Sequence, residues 1–585
     1  MWIFSSRLNE KKQNIRRADN RYAVLLACLS ALLLCACSGN PAHGTHIQVS
    51  LVETAGMTVE ENGLWIAPGE NAVFYVRLDK NVRLIGLDYA GEYDIRREDG
   101  HMKIELFDVR YPTRVALNLT SSYRTVHYVS EEGSFSVSYD ISKRRRPNTA
   151  TAVKGPERDG YTLIGWKTKN GERIGLGSRV DAEDLELTLY ADWVPWTDES
   201  HFAIEDGTLI SYSGMDERIV IPETVTAIAA GAFVKAQAKE LVLPKNLKTV
   251  EDGAFQNCAF EHIILFDSIG SISDASFVDC PKLQTLSINA VERPWGAQFR
   301  RESVYADKVD LLIQARGQQK LVFYGGCAMW YNLDGPMAVK ALGDEYTVIN
   351  MGLNGTVSGL VQMEIMEHFL EEGDVLFHTP ELSSYRQLLT KPDMSAFDVH
   401  LWCGLEYNYD LFRLVDLRGI DGVFDSLCEY LNMKKGGGSY QDVYQDAEKR
   451  EYMDTIGCLP IYRGKQEPVM RYPEQQERVE LDAEYLGDGA LLRKMYGRCT
   501  EKGITVLVGY ACVNMDAVPE EQKDRVEQMD ALFKQTVAPF PVVSSLADYL
   551  YKDEDFYDTN YHLLSVPAQE NTEKWLRDIS AWFNK

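Results

Sequence analysis

The chain has 585 residues, a hydrophobic content of 45% and a formal net charge of −26 at pH 7. This length predicts about three or four domains, and the hydrophobic content is sufficient for each of them to bury a core. So acidic a surface repels nucleic acid and anionic lipid headgroups, which excludes both as binding partners.

The first 36 residues predict an export signal. Basic side chains between Lys11 and Arg21 precede a short apolar run, Ala23 to Leu34. This run is shorter than the about 20 apolar residues that span a bilayer, although an uncleaved membrane anchor is the alternative. Leu34 to Ser38 resembles the lipobox of bacterial lipoprotein precursors, which implies that residues 1–36 are removed and that Cys37 is lipidated. We therefore expect an extracytoplasmic protein, lipid-anchored to the bacterial cell membrane.

Residues 46–132 predict an all-β domain. Short runs of alternating polarity, such as Val73 to Leu78, are separated by Gly, Pro, Asn and Asp, which is the pattern of half-buried strands joined by turns. Nothing in this segment indicates chemistry.

Residues 133–196 predict a small β-grasp-like module. Aromatic residues recur in Gly160 to Trp166 and in Leu187 to Trp193, on either side of the turn pair Asn170-Gly171. These segments resemble the internalin-type B-repeat of bacterial surface proteins, which implies a sheet whose Trp and Tyr side chains fill a small core. The alternative for these aromatic residues is a carbohydrate-binding platform.

Residues 200–290 carry an internal repeat with an interval of 22 residues. Apolar side chains recur at this interval in three series: Ile221, Leu243 and Leu265; Ile228, Val250 and Ile272; Phe233, Phe255 and Phe277. The repeat resembles the BspA-type leucine-rich repeat, which implies a solenoid whose coils stack on one another. Such a solenoid offers a surface for a protein partner.

Cys258 and Cys280 follow the same 22-residue interval, so they occupy equivalent places on adjacent coils. They form either a pair of buried thiols or a disulfide between the coils. None of the cysteines after Cys37 belongs to a C-x-x-C motif, so no cofactor and no metal site is expected.

Residues 318–585 alternate between predicted strands and helices. The strands are 321–324, 346–350, 374–377 and 504–510, and the helices are 334–343, 357–371, 489–502 and 568–584. This alternation predicts an α/β three-layer domain with a parallel sheet. Residues 291–319, a stretch rich in Arg, Pro and Gly, lead into this domain. A long insertion after Glu381 is expected to carry a mobile exposed tip at Lys434 to Ser439.

A Gly-Gly-Cys turn follows the first strand of this domain. Gly325-Gly326 allows a sharp turn that places Cys327 at the carboxyl end of the strand, where α/β sheets carry their chemistry. A nucleophile there needs a distant base. The turn and the C-terminal run from Asp558 to His562 together resemble the SGNH/GDSL hydrolase superfamily, with cysteine in place of serine. The resemblance implies Cys327 as nucleophile, His562 as base and Asp558 as the orienting carboxylate, with Asp555 as its rival.

The family's oxyanion hole is only partly matched. Asn350 to Gly355 resembles the second family block, which implies oxyanion donors from the Gly352 N–H and the Asn354 side chain. His378 to Glu381 replaces the third block, so one expected donor is missing. His378 is either a substitute donor or a core histidine.

The SGNH resemblance implies an acyl-ester hydrolase or acyltransferase that acts on an acylated cell-surface glycan or a related polymer. The alternative is a catalytically inactive surface adhesin or ligand-binding protein, which uses its repeats and an inherited pocket. Rapid alkylation of the Cys327 thiol favours the enzyme, and an inert thiol favours the binding protein.

Overall fold

The computed structural model describes residues 46–291 and 304–584, with gaps within these ranges. The gaps are 80–81, 99–100, 122, 141–154, 179–185, 344, 354–358, 382–398, 406–407, 437–455, 459–467, 469–478, 482–485 and 487. The predicted signal peptide, Cys37 and Asn354 therefore lie outside the described residues. The chain divides into two compact units, Met1–Tyr123 and Arg124–Lys585.

The first unit is a β-sandwich. Its sheets have the strand orders β3-β1-β8-β5 and β2-β4-β7-β6. The strands are β1 (Ile47–Val52), β2 (Met57–Val59), β3 (Leu64–Ile66), β4 (Glu70–Leu78), β5 (Val82–Asp88), β6 (Tyr93–Glu98), β7 (His101–Val109) and β8 (Thr113–Ser121). Inward-facing residues of both sheets, such as Val49, Phe74 and Ile104, form one buried cluster. Alternating polarity along each strand places these apolar side chains on the inner face.

The second unit begins with a mixed sheet in the order β10-β9-β13-β11-β12. Its strands are β9 (Tyr123–Ser130), β10 (Gly133–Asp140), β11 (Tyr161–Thr168), β12 (Arg173–Ile174) and β13 (Glu186–Pro195). Trp166 is 1% exposed, and its ring centroid lies 4.8 Å from that of the buried Tyr128. Aromatic side chains therefore fill much of this core. β9 belongs to this sheet because it pairs with β13, whereas the sequence places it in the preceding domain.

The solenoid follows, with strands in two sheets of order β14-β15-β17-β19 and β16-β18-β20-β21. They are β14 (Phe202–Glu205), β15 (Thr208–Tyr212), β16 (Arg218–Val220), β17 (Ala227–Ile228), β18 (Glu240–Val242), β19 (Thr249–Val250), β20 (His262–Phe266) and β21 (Thr285–Asn289). Ile219 lies opposite Leu241, which lies opposite Ile263, in parallel register. The 22-residue interval of the sequence is thus the spacing of these strands. The last pairing, His262 with Thr285, spans one residue more.

A ladder of phenylalanine rings runs along the solenoid interior. The ring centroid of Phe255 lies 5.3 Å from that of Phe233 and 4.8 Å from that of Phe277. Beside this ladder, the thiols of Cys258 and Cys280 are both free, and they donate hydrogen bonds to the carbonyl oxygens of the coil before. The structure therefore favours free thiols, of which Cys258 is buried and Cys280 partly buried, over a disulfide between coils.

The remainder of the second unit is an α/β domain around a parallel sheet in the order β23-β22-β24-β25. These strands are β22 (Lys320–Gly325), β23 (Thr347–Asn350), β24 (Val375–Thr379) and β25 (Thr505–Val508). A parallel bridge between Val508 and Val542 extends the sheet beyond β25, and two short strands, β26 (Val513–Asn514) and β27 (Leu550–Tyr551), pair beside it. The predicted α/β class with a parallel sheet is confirmed.

Helices flank this sheet. They are α1 (Val304–Gln314), α2 (Cys327–Asn332), α3 (Gly335–Leu342), α4 (Gly359–Glu367), α5 (Val399–Leu405), α6 (Val423–Gly436), α7 (Ala490–Glu501), α8 (Val526–Val537) and α9 (Ser565–Phe583). Tyr305, Val309 and Leu312 of α1 are fully buried in the main core. This helix therefore packs in the core of the second unit, although it precedes residue 318, where the sequence places the start of the α/β domain. In the part of the chain that the structure describes, no helix is long and apolar enough to cross a membrane.

The solenoid and the α/β domain share one apolar core. The ring of Phe424, in α6, stacks on Phe277 at a centroid distance of 4.2 Å and so continues the phenylalanine ladder. Near the end of α6, the ammonium group of Lys434 lies 2.9 Å from the carboxylate of Asp267, and the two side chains are 4% and 0% exposed. The expected mobile exposed tip is therefore wrong at Lys434, because a buried carboxylate on the solenoid compensates its charge.

Asp274 of the solenoid caps α6, because its carboxylate accepts hydrogen bonds from the Gly422 N–H and, at 2.7 Å, from the Phe424 N–H. We expect Asp274→Ala to lower the local free energy of opening of α6 by about 0.5–2 kcal/mol, as loss of an N-cap does. Amide hydrogen exchange along α6 measures this energy. Exposed Glu205 provides the control: Glu205→Ala should change it by less than about 0.5 kcal/mol. An equal loss in both variants would contradict the capping role.

Candidate active site

Cys327 is the first residue of α2 and follows the buried strand β22 after Gly325-Gly326. A Cβ atom built on Gly326 would lie 2.5–2.7 Å from the carboxylate of Glu381, and one on Gly325 would lie 2.9 Å from the Thr379 carbonyl oxygen. The two glycines are therefore needed because the end of β24 packs directly against this turn.

The order of the strands places this turn at a switch point of the sheet. From β22 the chain crosses to β23 on one side and then to β24 on the other. Crevices at such points, beyond the carboxyl ends of the strands, are where open α/β sheets bind ligands. Cys327 follows β22 and Glu381 follows β24, so both lie at this edge of the sheet.

His562 and Asp558 form a hydrogen-bonded pair. Nδ1 of His562 lies 2.8 Å from Oδ1 of Asp558, with side chains that are 4% and 19% exposed. The run Asp-x-x-x-His suits this contact because its loop closes on itself: the Tyr557 N–H donates to the His562 carbonyl oxygen at 2.8 Å. Asp555 instead accepts a hydrogen bond from the Lys552 N–H. Of the two candidate carboxylates, Asp558 is the one that is hydrogen-bonded to His562 in the structure.

Helix α2 holds the histidine loop. The Asn332 side chain accepts from the Leu563 N–H at 2.9 Å and donates to the Tyr561 carbonyl oxygen at 2.8 Å. The ring centroid of Tyr331 lies 4.0 Å from that of His562. Tyr331 is four residues after Cys327, and residues at this spacing share one face of a helix. His562 therefore packs on the face of α2 that begins at Cys327.

Glu381 adds a carboxylate to the site. It is buried, and its Oε1 accepts a hydrogen bond from the Ala328 N–H at 2.9 Å. Burial, with a contribution from the charge of Glu381, raises the pKa of the neighbouring Cys512 thiol above its usual range. Sequence reasoning treated Glu381 only as part of a replaced family block. The sequence feature that could have identified Glu381 is its position, two residues after the buried parallel strand β24.

The loop after β23 packs against α2. The Gly352 N–H donates to Oδ1 of Asn350 at 2.8 Å, and Nδ2 of Asn350 donates to the Met329 carbonyl oxygen at 3.0 Å. A Cβ atom built on Gly352 would lie 2.7 Å from the backbone nitrogen of Trp330. Gly352 thus lies beside α2, with its N–H directed to Asn350.

Buried Lys308 supports this loop from beneath. Its ammonium group donates to the carbonyl oxygens of Asn350 at 2.8 Å and Gly457 at 2.7 Å. Lys308 lies on α1, before the predicted start of the α/β domain at residue 318, and sequence reasoning missed it. A positive charge without exposure to water requires such acceptors.

His378 belongs to the core. It is fully buried in β24, and its Nδ1 lies 2.6 Å from the hydroxyl oxygen of Tyr496. Burial lowers the pKa of His378 to about 3. Of the two alternatives from the sequence, the structure supports the core histidine.

This histidine makes the stability of the domain depend on pH. The unfolded chain binds a proton at His378 as the pH falls through about 6.5, whereas the folded chain binds it only near the lowered pKa. Stability is therefore lost as the pH falls below about 6.5, with a slope of up to about 1.4 kcal/mol per pH unit. We expect His378→Gln to flatten the loss between pH 6.5 and 4.5 in urea unfolding. An equal loss of unfolding free energy per pH unit in wild type and in His378→Gln would contradict this role of His378.

Comparison with known families identifies the solenoid. Residues 211–294 match the family model described as "BspA type Leucine rich repeat region", in 6 copies. The solenoid is a BspA-type leucine-rich repeat region. None of the curated proteins searched matches the chain. Across the described ranges, no group of three or more His, Cys, Asp or Glu side chains is placed to hold a metal ion.

Proposed function

We propose that this chain is a lipid-anchored surface protein whose SGNH-like α/β domain uses Cys327 for acyl-ester hydrolysis or acyl transfer. The observation that carries the proposal is the His562–Asp558 pair, packed through Tyr331 on the helix that starts with Cys327. An imidazole oriented by a carboxylate beside a nucleophile at a strand end is the arrangement of hydrolytic triads. Acylated cell-surface glycan, or a related polymer, is the proposed substrate class.

In the proposed reaction, His562 accepts the proton of the Cys327 thiol as the sulfur attacks the ester carbonyl carbon. Collapse of the tetrahedral intermediate breaks the bond to the alcohol oxygen, which takes the proton back from His562. The acyl group is then a thioester on Cys327, and water or a second hydroxyl group receives it. Asp558 holds the imidazole through Nδ1 and stabilises its charged form. The Gly352 N–H and the Asn354 side chain are the proposed oxyanion donors.

A second candidate function is ligand binding without catalysis. Two backbone donors near Cys327 already have acceptors, since the Ala328 N–H bonds to Glu381 and the Gly352 N–H bonds to Asn350. An oxyanion would have to compete with these acceptors. The BspA-type repeat region also supports a surface or adhesion-type protein.

Alkylation by iodoacetamide separates the two functions. A free thiol is only a few per cent ionised at pH 7, so fast labelling of Cys327 requires His562. We expect iodoacetamide to label Cys327 faster than Cys428, a part-exposed cysteine on α6. The substitution His562→Ala should lower the labelling rate of Cys327, and not that of Cys428, by about tenfold or more. Peptide mass spectrometry follows each site separately. If Cys327 were labelled at the same rate in wild type and in His562→Ala, the triad would be excluded and ligand binding would remain as the function.

The proposed anchor has its own test. Metabolic labelling with a fatty acid should mark the full-length protein expressed in a bacterium, and Cys37→Ala should abolish the label, because the lipobox cysteine is the acceptor. Cys327→Ala is the matched control and should keep the label. Fatty acid that remains on Cys37→Ala would contradict lipidation at Cys37.

A further inference from the structure

A groove lies between the mixed sheet and the solenoid, and its lining residues come from Gly155 to Val291, outside the α/β domain that carries Cys327. Its volume is about 870 Å³, and its lining comes from residues 155–159, the start of β11, the end of β13 and the turns of the solenoid. The side chains that matter for its chemistry are Tyr161, Trp193, Trp196, Glu223, Lys245 and Asn246. A volume of this size accommodates a small ligand with several rings.

Two indole rings form the apolar part of the groove. Trp193 and Trp196 are both half-buried. Nε1 of Trp196 donates to Oγ1 of Thr162 at 3.0 Å, and Nε1 of Trp193 donates to Oγ of Ser130 at 3.4 Å. Because the protein itself uses both indole N–H groups, the rings are fixed, and what they offer to a ligand is apolar surface.

A fixed polar edge faces these rings. The Glu223 carboxylate accepts from the Lys245 N–H at 2.9 Å and lies 3.4 Å from the Thr162 hydroxyl group. Asn246 is exposed, and its Nδ2 donates to the Glu223 carbonyl oxygen at 3.3 Å. The ammonium group of Lys245 lies 3.4 Å from the carboxylate of Glu157. The edge therefore presents preorganised donors and acceptors.

The charges of the lining cancel. Three carboxylates and three cationic side chains contribute: Glu157, Asp159 and Glu223, with Arg158, Lys245 and Lys248. A groove without net charge gives no electrostatic preference for a polyanion or a cation, and the net charge of −26 repels a polyanion at long range. The occupant that fits is uncharged, with an apolar face for the indoles and hydroxyl groups for the polar edge.

We propose that this groove binds a neutral saccharide. The flat face of a pyranose ring, which carries C–H groups, packs on an indole, and its rim of hydroxyl groups bonds to the polar edge. The aromatic residues of the mixed sheet thus divide between two roles: Trp166 fills the core, and Trp193 and Trp196 line the groove. The site does not depend on acyl chemistry at Cys327.

Tryptophan fluorescence and calorimetry with the full chain test the proposal. The probes are neutral oligosaccharides (cello-, N-acetylchito- and manno-oligosaccharide series), with polygalacturonate and an oligolysine peptide as charged comparisons. We expect one neutral series to bind and the two charged probes not to bind. Trp193→Leu and Asn246→Ala should each weaken binding by about tenfold or more, because the first removes an apolar surface and the second a polar side chain that line the groove.

Trp65→Leu is the matched control, since Trp65 is 46% exposed on the first unit, and it should leave binding unchanged. Asn246→Ala alters an exposed side chain, so it tests the site even where Trp193→Leu unfolds the sheet. Cys327→Ala should bind as wild type does, which separates this proposal from the proposed acyl transfer. Absence of binding to all neutral series, tighter binding of a charged probe, or binding unaffected by Asn246→Ala would overturn it.

Discussion

Cys327→Ala is expected to lower the turnover of acyl esters by at least about 1000-fold, because loss of a nucleophile removes the covalent step. A panel of p-nitrophenyl esters and O-acetylated oligosaccharides measures this loss. Cys428→Ala, on α6, is the matched control and should keep wild-type turnover. Equal turnover by wild type and Cys327→Ala would place any esterase activity outside this site.

Cys327→Ser examines the same site without removing the nucleophile. If His562 and the oxyanion donors suit a hydroxyl group, as the resemblance to serine hydrolases implies, the serine variant retains turnover that Cys327→Ala lacks. His562→Ala in the serine background should abolish it, since a neutral hydroxyl group depends on the base more than a thiol does. Turnover by the serine variant that persists without His562 would contradict the assignment of the base.

Phe255→Ala is expected to destabilise the solenoid by about 3–5 kcal/mol, because it removes a fully buried ring and leaves a cavity. The ring lies between Phe233 and Phe277, and the ladder continues to Phe424 on α6. The loss should therefore spread to adjacent coils and to α6, which amide hydrogen exchange resolves segment by segment.

Phe583→Ala is the control for this change, since Phe583 is 46% exposed at the end of α9. It should alter exchange in the solenoid by less than about 0.5 kcal/mol. Faster exchange confined to the coil of Phe255 would contradict the cooperative stack that a solenoid requires.

The solenoid was predictable because the 22-residue interval of its apolar residues determines which residues pair between adjacent coils. Apolar positions 22 residues apart become lateral neighbours, as Ile219, Leu241 and Ile263 do. The position of Cys327 was predictable for a similar reason, since an unbroken apolar strand followed by two glycines indicates a buried strand and a tight turn.

The resemblance implied Asp558 as the partner of His562, but the sequence alone could not decide against Asp555, because both carboxylates are close to His562 in the chain. Only the closure of the loop decides between them. Asn332 and Tyr331 were missed because their role depends on a loop more than 200 residues away, which docks on α2. No local pattern carries such a contact.

Buried charges could not be recognised from the sequence for the same reason. Lys434 and Lys308 stand in polar segments that indicate exposure, yet both are buried. Their acceptors, the carboxylate of Asp267 and the carbonyl oxygen of Asn350, come from distant parts of the chain. Burying a charge costs free energy. Only the tertiary structure shows which acceptors offset that cost.

An acyl-thioester on Cys327 is the most direct test of the central claim. The full chain is mixed with a p-nitrophenyl ester, quenched in acid within seconds, and examined by intact-mass and peptide mass spectrometry. The proposed mechanism predicts a mass increase equal to one acyl group, located on Cys327, absent in Cys327→Ala and strongly reduced in His562→Ala. Ester turnover without any acyl group on Cys327, or acylation that is unchanged in His562→Ala, would contradict the mechanism.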